Sequence, residues 1–446
     1  MKIKALLQKY RQLKAKKSAQ TNLVLGFTLY LLIGFALLLL PICHRHSISL
    51  LDNLFTAVSA VSTTGLTTVS VNQSYNFFGQ FVIVFLIQVG GIGYMTLTTY
   101  YLIFTTKQIT KWHHRILGCE FSIPSSIKIH DFIKSVIVFT LIMEVLGILF
   151  LYPFFSNTGL DQWDALWFAI FHSISSFCTA GFSLYDNSFE SFSNHYYINI
   201  VLSILSILGS LGFIVVTDIW YRITKKTYKL SFTTKIIFYG FASLLTFGTL
   251  IIYFSEPSLV ANSQIGFMEV FFQAMTAMTT VGFNTVPILQ LKLPILLLII
   301  FLMYIGASPS GTAGGLKITT LTAMIAIVKS HLFGEKKVTF LNKIIPYERL
   351  YVATSTFILY TSIIFLFTFL LSYTEKLPFE DILFEVASAL GTVGLSIGIS
   401  AGLSWLGKIM VIFLMFIGRV GVLTFGFSLI LKGKKQTNNT KEDLAI

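Results

Sequence analysis

Four short motifs in the chain share residue types and spacing that could do chemistry. Phe55 precedes Gly65 by ten residues, and the same interval separates Phe171 from Gly181, Phe272 from Gly282 and Phe384 from Gly394. In register, each copy carries a threonine two before the glycine (Thr63, Thr179, Thr280, Thr392). Each also carries a serine or threonine six before it: Ser59, Ser175, Thr276 and Ser388. No nucleophile with a base, and no metal-ligating set, recurs among them. The shared reactive group is the main-chain carbonyl. Glycine reaches backbone angles that other residues resist, so successive carbonyls beside it can turn to one side. Four such segments around an axis would form rings of oxygen that replace the water shell of a cation. The candidate residues are Ser62, Thr63, Thr64 and Gly65; Cys178, Thr179, Ala180 and Gly181; Thr279, Thr280, Val281 and Gly282; and Gly391, Thr392, Val393 and Gly394. The residue before each threonine varies, which leaves its side-chain contribution open.

The elements that must position these motifs are membrane helices. Of 446 residues, 54% are apolar and only 11% charged, against about 25% charged in ordinary soluble domains. Apolar stretches at 23–41, 132–155 and 409–431 reach the roughly 20 residues that cross a bilayer as a helix. A soluble enzyme, a nucleic-acid binder and a disordered scaffold are excluded. The three cysteines (Cys43, Cys119, Cys178) give neither a disulfide framework nor a metal spacing.

The net charge of +13 reads as topology. Lys and Arg cluster in 1–17, 107–134, 222–235, 329–349 and 432–441, whereas the intervening loops are acidic. Both termini and three connecting loops are therefore expected on the cytoplasmic side, with eight crossings between them. The basic residues serve orientation and lipid contact, not nucleic acid. Residues 1–17 have the basic, partly amphipathic pattern of a segment lying on the inner leaflet, and His113 and His114 fall in a basic cytoplasmic loop.

The glycines lie roughly a quarter of the chain apart, each followed by a second landmark: Leu86 to Gly90, Leu205 to Gly209, Leu302 to Gly306 and Leu414 to Gly418. The expected fold is an all-α polytopic membrane protein. It has four parallel repeats of helix, re-entrant pore loop and helix, with pseudo-fourfold symmetry around a central ion pore. The stretch before each glycine, about eight to ten residues, is too short to span and reads as a half-membrane helix. Asp52, Glu269 and Asp381 near its start either cap it, complementing the helix dipole, or attract ions. The expected organisation is a basic arm at 1–21, pore repeats at 22–106, 107–222, 223–329 and 330–431, and a cytoplasmic tail at 432–446.

This layout, with single glycines Gly65, Gly181, Gly282 and Gly394 and the segment from Phe416 to Val422, resembles the Trk/Ktr/HKT superfamily of potassium transporters over nearly the whole chain. With little chain before the first repeat, it is most similar to KtrB-type membrane subunits of the bacterial Ktr potassium uptake system. The resemblance implies potassium uptake across the bacterial cell membrane, a homodimer with a pore in each chain, and a cytoplasmic ring of nucleotide-binding regulatory subunits of the KtrA type. It implies potassium as substrate, held by the backbone carbonyls of the filter residues, no covalent cofactor, and sodium as a candidate activator. Glycine at all four filter positions goes with potassium in that superfamily.

The third repeat contains a sequence that cannot stay helical. Residues 306–315 read GASPSGTAGG, and glycine costs about 1 kcal/mol and proline about 3 kcal/mol inside a helix. As a phosphate cradle it fails, because Thr312 stands where a nucleotide-binding loop needs lysine. The equivalent stretches of other repeats run on into apolar residues, so the interruption reads as unique. By position and by resemblance, residues 306–317 form an intramembrane gate, with Gly306, Gly311, Gly314, Gly315, Lys317 and Arg419 as its parts. An arginine within a span must face the bundle interior or water. Arg419, just after a landmark glycine, is a candidate electrostatic barrier that pairs with polar groups of the loop, or else a partner for Glu144 or Asp218. Lys317 is expected to snorkel to the cytoplasmic surface. Asp218 reads as helix-end polarity and Glu144 as an interhelical hydrogen bond, with a coupling role the alternative.

Other classes fit less well. A sodium or sodium/potassium secondary transporter usually shows inverted repeats, and these are parallel. A membrane-embedded lipid-modifying enzyme needs His, Asp or Cys clustered at one depth, and none recurs. A structural anchor leaves the four glycine turns without a purpose.

Overall fold

The protein is described here from a computed structural model, which covers residues 18–93, 96, 128–225, 228–255, 266–306 and 308–429. The arm at 1–17, the loop with His113, His114 and Cys119, residue Ala307 and the tail at 432–446 lie outside the described residues.

Among the described residues, four long helices are apolar enough to cross a membrane: α1 (Ala19–Leu38), α4 (Ile129–Ser156), α8 (Phe232–Ser255) and α12 (Tyr347–Thr374). Only 33% of the central window is buried in the first three and 22% in α12. Their remaining surface is apolar, as at Leu29, Leu141, Phe247 and Phe365, which suits hydrocarbon and not water.

Inside them stand four shorter helices, α2 (Leu50–Val61), α5 (Gln162–Phe177), α9 (Gly266–Thr279) and α13 (Phe379–Gly391). They run 12 to 16 residues, longer than the estimate from the sequence because each starts before the aligned phenylalanine. Phe55, Phe171, Phe272 and Phe384 are all completely buried. The helix starts are capped by side chains where serine or aspartate stands at the N-cap. Ser49 Oγ accepts from Asp52 N–H at 3.0 Å and Asp161 Oδ1 from Asp164 N–H at 2.7 Å. Asp52 also pairs with Lys408 at 2.9 Å.

Each inner helix is followed by a return helix: α3 (Phe77–Ile92), α6 (Tyr196–Ser210), α10 (Leu293–Tyr304) and α14 (Trp405–Val420). After α6 and α14 the chain turns by 88° and 100° into α7 (Phe213–Thr224) and α15 (Val422–Leu429). Gly212 and Gly421 make these corners at φ +88° and +91°, and Gly93 ends α3 at φ +85°, a region closed to most side chains. The interruption is thus not unique to the third repeat. A lone glycine breaks the others three residues after the landmark, whereas the third inserts a long irregular segment before α11 (Ile318–Leu332). Counting each bent pair as one span gives six candidate spans among the described residues; α3 and α10 are shorter. A small hairpin, β1 (Thr339–Phe340) paired antiparallel with β2 (Lys343–Ile344), joins α11 to α12.

Candidate functional site: a ring of four threonine–glycine turns

Three inner helices end in the same pair of bonds, and the fourth, α9, keeps one of them, Val281 N–H to Thr276 O at 3.2 Å. The chain leaves α2 with Thr63 N–H donating to Ala60 O at 3.1 Å and Thr64 N–H to Ser59 O at 2.9 Å. Thr179 and Ala180 repeat the pair after α5, and Thr392 and Val393 after α13. This is a Schellman termination, which needs a left-handed residue, usually glycine, just past the cap. Here threonine fills it: Thr63, Thr179, Thr280 and Thr392 have φ of 51°, 49°, 57° and 49°. Left-handed backbone costs a β-branched residue about 1–2 kcal/mol, so these positions hold threonine against a local preference. Two residues on, Gly65, Gly181, Gly282 and Gly394 again have positive φ, between 67° and 92°.

The four turns meet. A Cβ on Gly65 would strike Ala180 O, one on Gly181 Val281 O, one on Gly282 Val393 O, and one on Gly394 Thr64 O, each closer than 3.0 Å. The contacts run in a closed cycle, each glycine lying against the carbonyl that precedes the next. All sixteen candidate residues except the glycines Gly65, Gly181 and Gly394 are completely buried or nearly so. Ser59 and Ser388 brace the ring by accepting from Gly65 N–H and Gly394 N–H at 3.1 Å. The landmark glycines of three repeats sit against the ends of the inner helices. A Cβ on Gly90, Gly209 or Gly418 would strike Val61 O, Phe177 O or Leu390 O.

In the third repeat the irregular segment presses directly on the ring. Thr179 Oγ1 donates to Thr312 Oγ1 at 3.0 Å, Thr312 Oγ1 to Phe177 O at 3.2 Å, and Gly314 N–H to Thr280 Oγ1 at 3.1 Å. Gly314 has no room for a Cβ because Gly391 O and Thr392 Oγ1 fill that place. The hydroxyls of Thr63 and Thr392 are buried and make no hydrogen bond. Gly306 abuts Gly314 and Gly315, and Gly311 abuts Ser210 O, so the segment folds on its own glycines and against α6.

Two cations hold the segment. Arg419 donates from Nη1 to Thr312 O and from Nη2 to Gly90 O, with Gly91 O at 3.3 Å. Lys317 does not extend to the surface. From the position before α11 its Nζ folds back to Ala313 O and Gly314 O, both at 2.6 Å. Three consecutive carbonyls, 312 to 314, are thereby engaged by positive charge. A cavity of about 790 Å³ below the ring is lined by this segment, Arg419 and the start of α1.

Of the polar residues read as alternative partners, Glu144 lies beside the ring, its Oε1 3.9 Å from Cys178 Sγ. Glu144 accepts from Gln88 Nε2 at 3.1 Å, and Asp218 from Tyr228 Oη at 2.5 Å and Ser231 N–H at 2.7 Å. Cys43 and Cys178 are free and buried. No group of three metal-ligating side chains occurs among the described residues. Sequence reading missed one layer: a buried polar residue follows each aligned phenylalanine (Thr56, His172, Gln273, Glu385). Its only signal is polarity at one aligned position of an apolar helix.

Four inner helices that end at one ring of glycine turns, enclosed by long apolar helices, make up a polytopic membrane fold. The chain belongs to the TrkH family of cation transport proteins, which matches residues 6–438. It is 33% identical over 422 residues to Ktr system potassium uptake protein B of Vibrio alginolyticus, covering 93% of this chain and 92% of the relative. It is 34% identical over 414 residues to Ktr system potassium uptake protein B of Bacillus subtilis (strain 168), covering 91% and 92%. The potassium/sodium uptake protein NtpJ of Enterococcus hirae is 33% identical over 444 residues, 97% of each chain. The crystal structure of the potassium transporter TrkH from Vibrio parahaemolyticus shares the fold, with a TM-score of 0.73 at 19% identity, covering 93% of this chain and 86% of that one. The relatives are ion uptake proteins, so the chain is a transporter and not an enzyme.

Proposed function

We propose that the chain is the ion-conducting membrane subunit of a potassium uptake system. The ring of threonine–glycine turns is its selectivity filter and the segment at 306–317 its gate. The observation that carries this reading is the closed cycle of contacts among Gly65, Gly181, Gly282 and Gly394. In each turn a left-handed threonine and a positive-φ glycine flank a residue of ordinary φ. That alternation favours successive carbonyls on one side, where they can replace the hydration shell of a monovalent cation. The inner helices end at the ring and bring the negative ends of their dipoles beneath it, which favours a cation. The threonine hydroxyls form the lowest layer. The gate segment occupies two of them, and Arg419 sets a positive charge under the path.

Opening then requires Thr312 and Gly314 to release Thr179 and Thr280, and Arg419 to release Thr312. The names of the Ktr relatives support a multi-subunit system. In it two copies of this chain, with both termini cytoplasmic, sit on a KtrA-type nucleotide-binding ring that drives the release. A second reading, in which sodium is carried or acts as an activator, is favoured by NtpJ, a relative named for both ions.

The test is growth of a potassium-uptake-deficient bacterium at low external potassium, with and without a regulatory subunit and with sodium varied. Wild type should rescue growth. Gly282→Ser, at φ +82° and with Val393 O in the place of a Cβ, should rescue much less. Equal rescue by both would overturn the filter assignment, and rescue proportional to sodium would favour the second reading.

A further inference from the structure

The residue that follows the aligned phenylalanine is polar in all four inner helices: Thr56, His172, Gln273 and Glu385. None is more than 1% exposed. Burying such a group is costly unless it is hydrogen bonded, and three of them direct that bond to the same place. Gln273 Nε2 donates to Thr285 Oγ1 at 3.1 Å. Glu385 accepts from Ser396 Oγ at 2.9 Å through Oε2 and from Ser400 Oγ through Oε1. His172 Nε2 accepts from Leu184 N–H at 3.2 Å and lies 3.3 Å from Ser183 Oγ. Its Nδ1 donates to Phe168 O at 2.8 Å, a pattern that assigns the neutral tautomer. Ser183, Leu184, Thr285 and Ser396 stand two or three residues beyond Gly181, Gly282 and Gly394, on the strand leaving the ring. In the first repeat the shorter Thr56 makes no such bond to the residues beyond Gly65.

We infer that His172, Gln273 and Glu385 are positioning residues that prop the exit strands of the filter and so set its discrimination between cations. The inference rests on the filter reading above. The helix C-terminus fixes each turn on its entry side through the Schellman bonds, and the strut fixes the exit side. The glycine between is held from both directions, and its carbonyl cannot swing without breaking one of them. A strut touches no ion and contributes only geometry. Its loss should therefore widen the tolerance of the ring and leave conduction in place.

The experiment uses the full chain in proteoliposomes, with potassium and sodium flux measured separately. In Glu385→Ala the potassium-to-sodium flux ratio should fall about fivefold to thirtyfold, the change that one to two lost hydrogen bonds correspond to, while potassium flux persists. Glu385→Gln, which can still accept from a serine, should restore most of the ratio. Thr285→Val, isosteric and without the acceptor for Gln273, should lower the ratio as well. It carries the test alone if Glu385→Ala does not yield a monodisperse protein. Wild-type ratios in the folded variants would overturn the struts and leave the filter standing. A wild type that passes both ions equally would overturn the filter reading, and the struts with it.

Discussion

Thr179 and Thr312 are joined hydroxyl to hydroxyl at 3.0 Å, across 133 residues of sequence. One belongs to a ring turn and the other to the irregular segment of the third repeat, so the bond ties the proposed filter to its proposed gate. Thr312 Oγ1 also bonds Phe177 O, the end of the inner helix that carries Thr179.

Thr312→Val keeps the shape and removes both bonds. With each worth about 0.5–1.5 kcal/mol, the closed arrangement should lose stability, and basal potassium flux should rise severalfold without any regulatory subunit. Flux into potassium-free proteoliposomes measures it, and an unchanged basal rate would dissociate the segment from gating.

Arg419 holds Thr312 O on one side and Gly90 O on the other. Arg419→Ala should raise basal flux, by removing both the positive charge and the clamp. Arg419→Lys keeps the charge but not the planar fork, so it should fall between the two. Unchanged flux in Arg419→Ala would remove the barrier role.

Gly421 and Gly394 share φ near +91° and +92° but differ in surroundings. A Cβ on Gly421 would meet nothing nearer than Thr424 Oγ1 at 3.8 Å, whereas on Gly394 it would strike Thr64 O. Gly421→Ala should thus cost only the left-handed strain, about 1–2 kcal/mol, seen as a lower thermal midpoint with selectivity intact. Gly394→Ala should abolish selective flux. Equal effects of the two on flux would argue against the ring as the selective element.

Glu335, in the loop before the hairpin, accepts from Ser330 Oγ at 2.9 Å and Thr339 Oγ1 at 2.7 Å. The Thr339 bond first, then that of Ser330, lowers its carboxyl below the ordinary 4.5. A depressed carboxylate stabilises above the unfolded value and loses that contribution as pH falls through the folded one. Hydrogen exchange in residues 335–345 should accelerate as pH drops below 4.5, after correction for intrinsic rates. Glu335→Gln should show the faster exchange at neutral pH already.

The inner helices and their terminal glycines were legible because the same residue types recur in register at Phe55, Phe171, Phe272 and Phe384. The irregular segment was legible from composition, since few helices tolerate Gly306 through Gly315. The corners at Gly212 and Gly421 were not, because a single glycine between apolar residues leaves the periodicity of a span intact. The left-handed threonines were hidden for a related reason: propensity assigns that conformation to glycine, and only the packing of the ring imposes it on Thr63 and its equivalents. Lys317 was misread because length and charge suggest an extended side chain, while its place before α11 turns it back on the carbonyls of Ala313 and Gly314. The proposed struts escaped notice because His172, Gln273 and Glu385 share polarity and no other property.

The cyclic packing of the four glycines has a consequence for how variation spreads. Each turn leans on its neighbour, so a bulge in one quadrant is transmitted around the loop and the aperture deforms as a whole. Yet all four quadrants are encoded once in a single polypeptide, so a mutation enters at one place only, whereas an assembly of four identical subunits would receive it four times. Such a chain can adjust one wall of its proposed filter by small steps, and the quadrants are free to specialise.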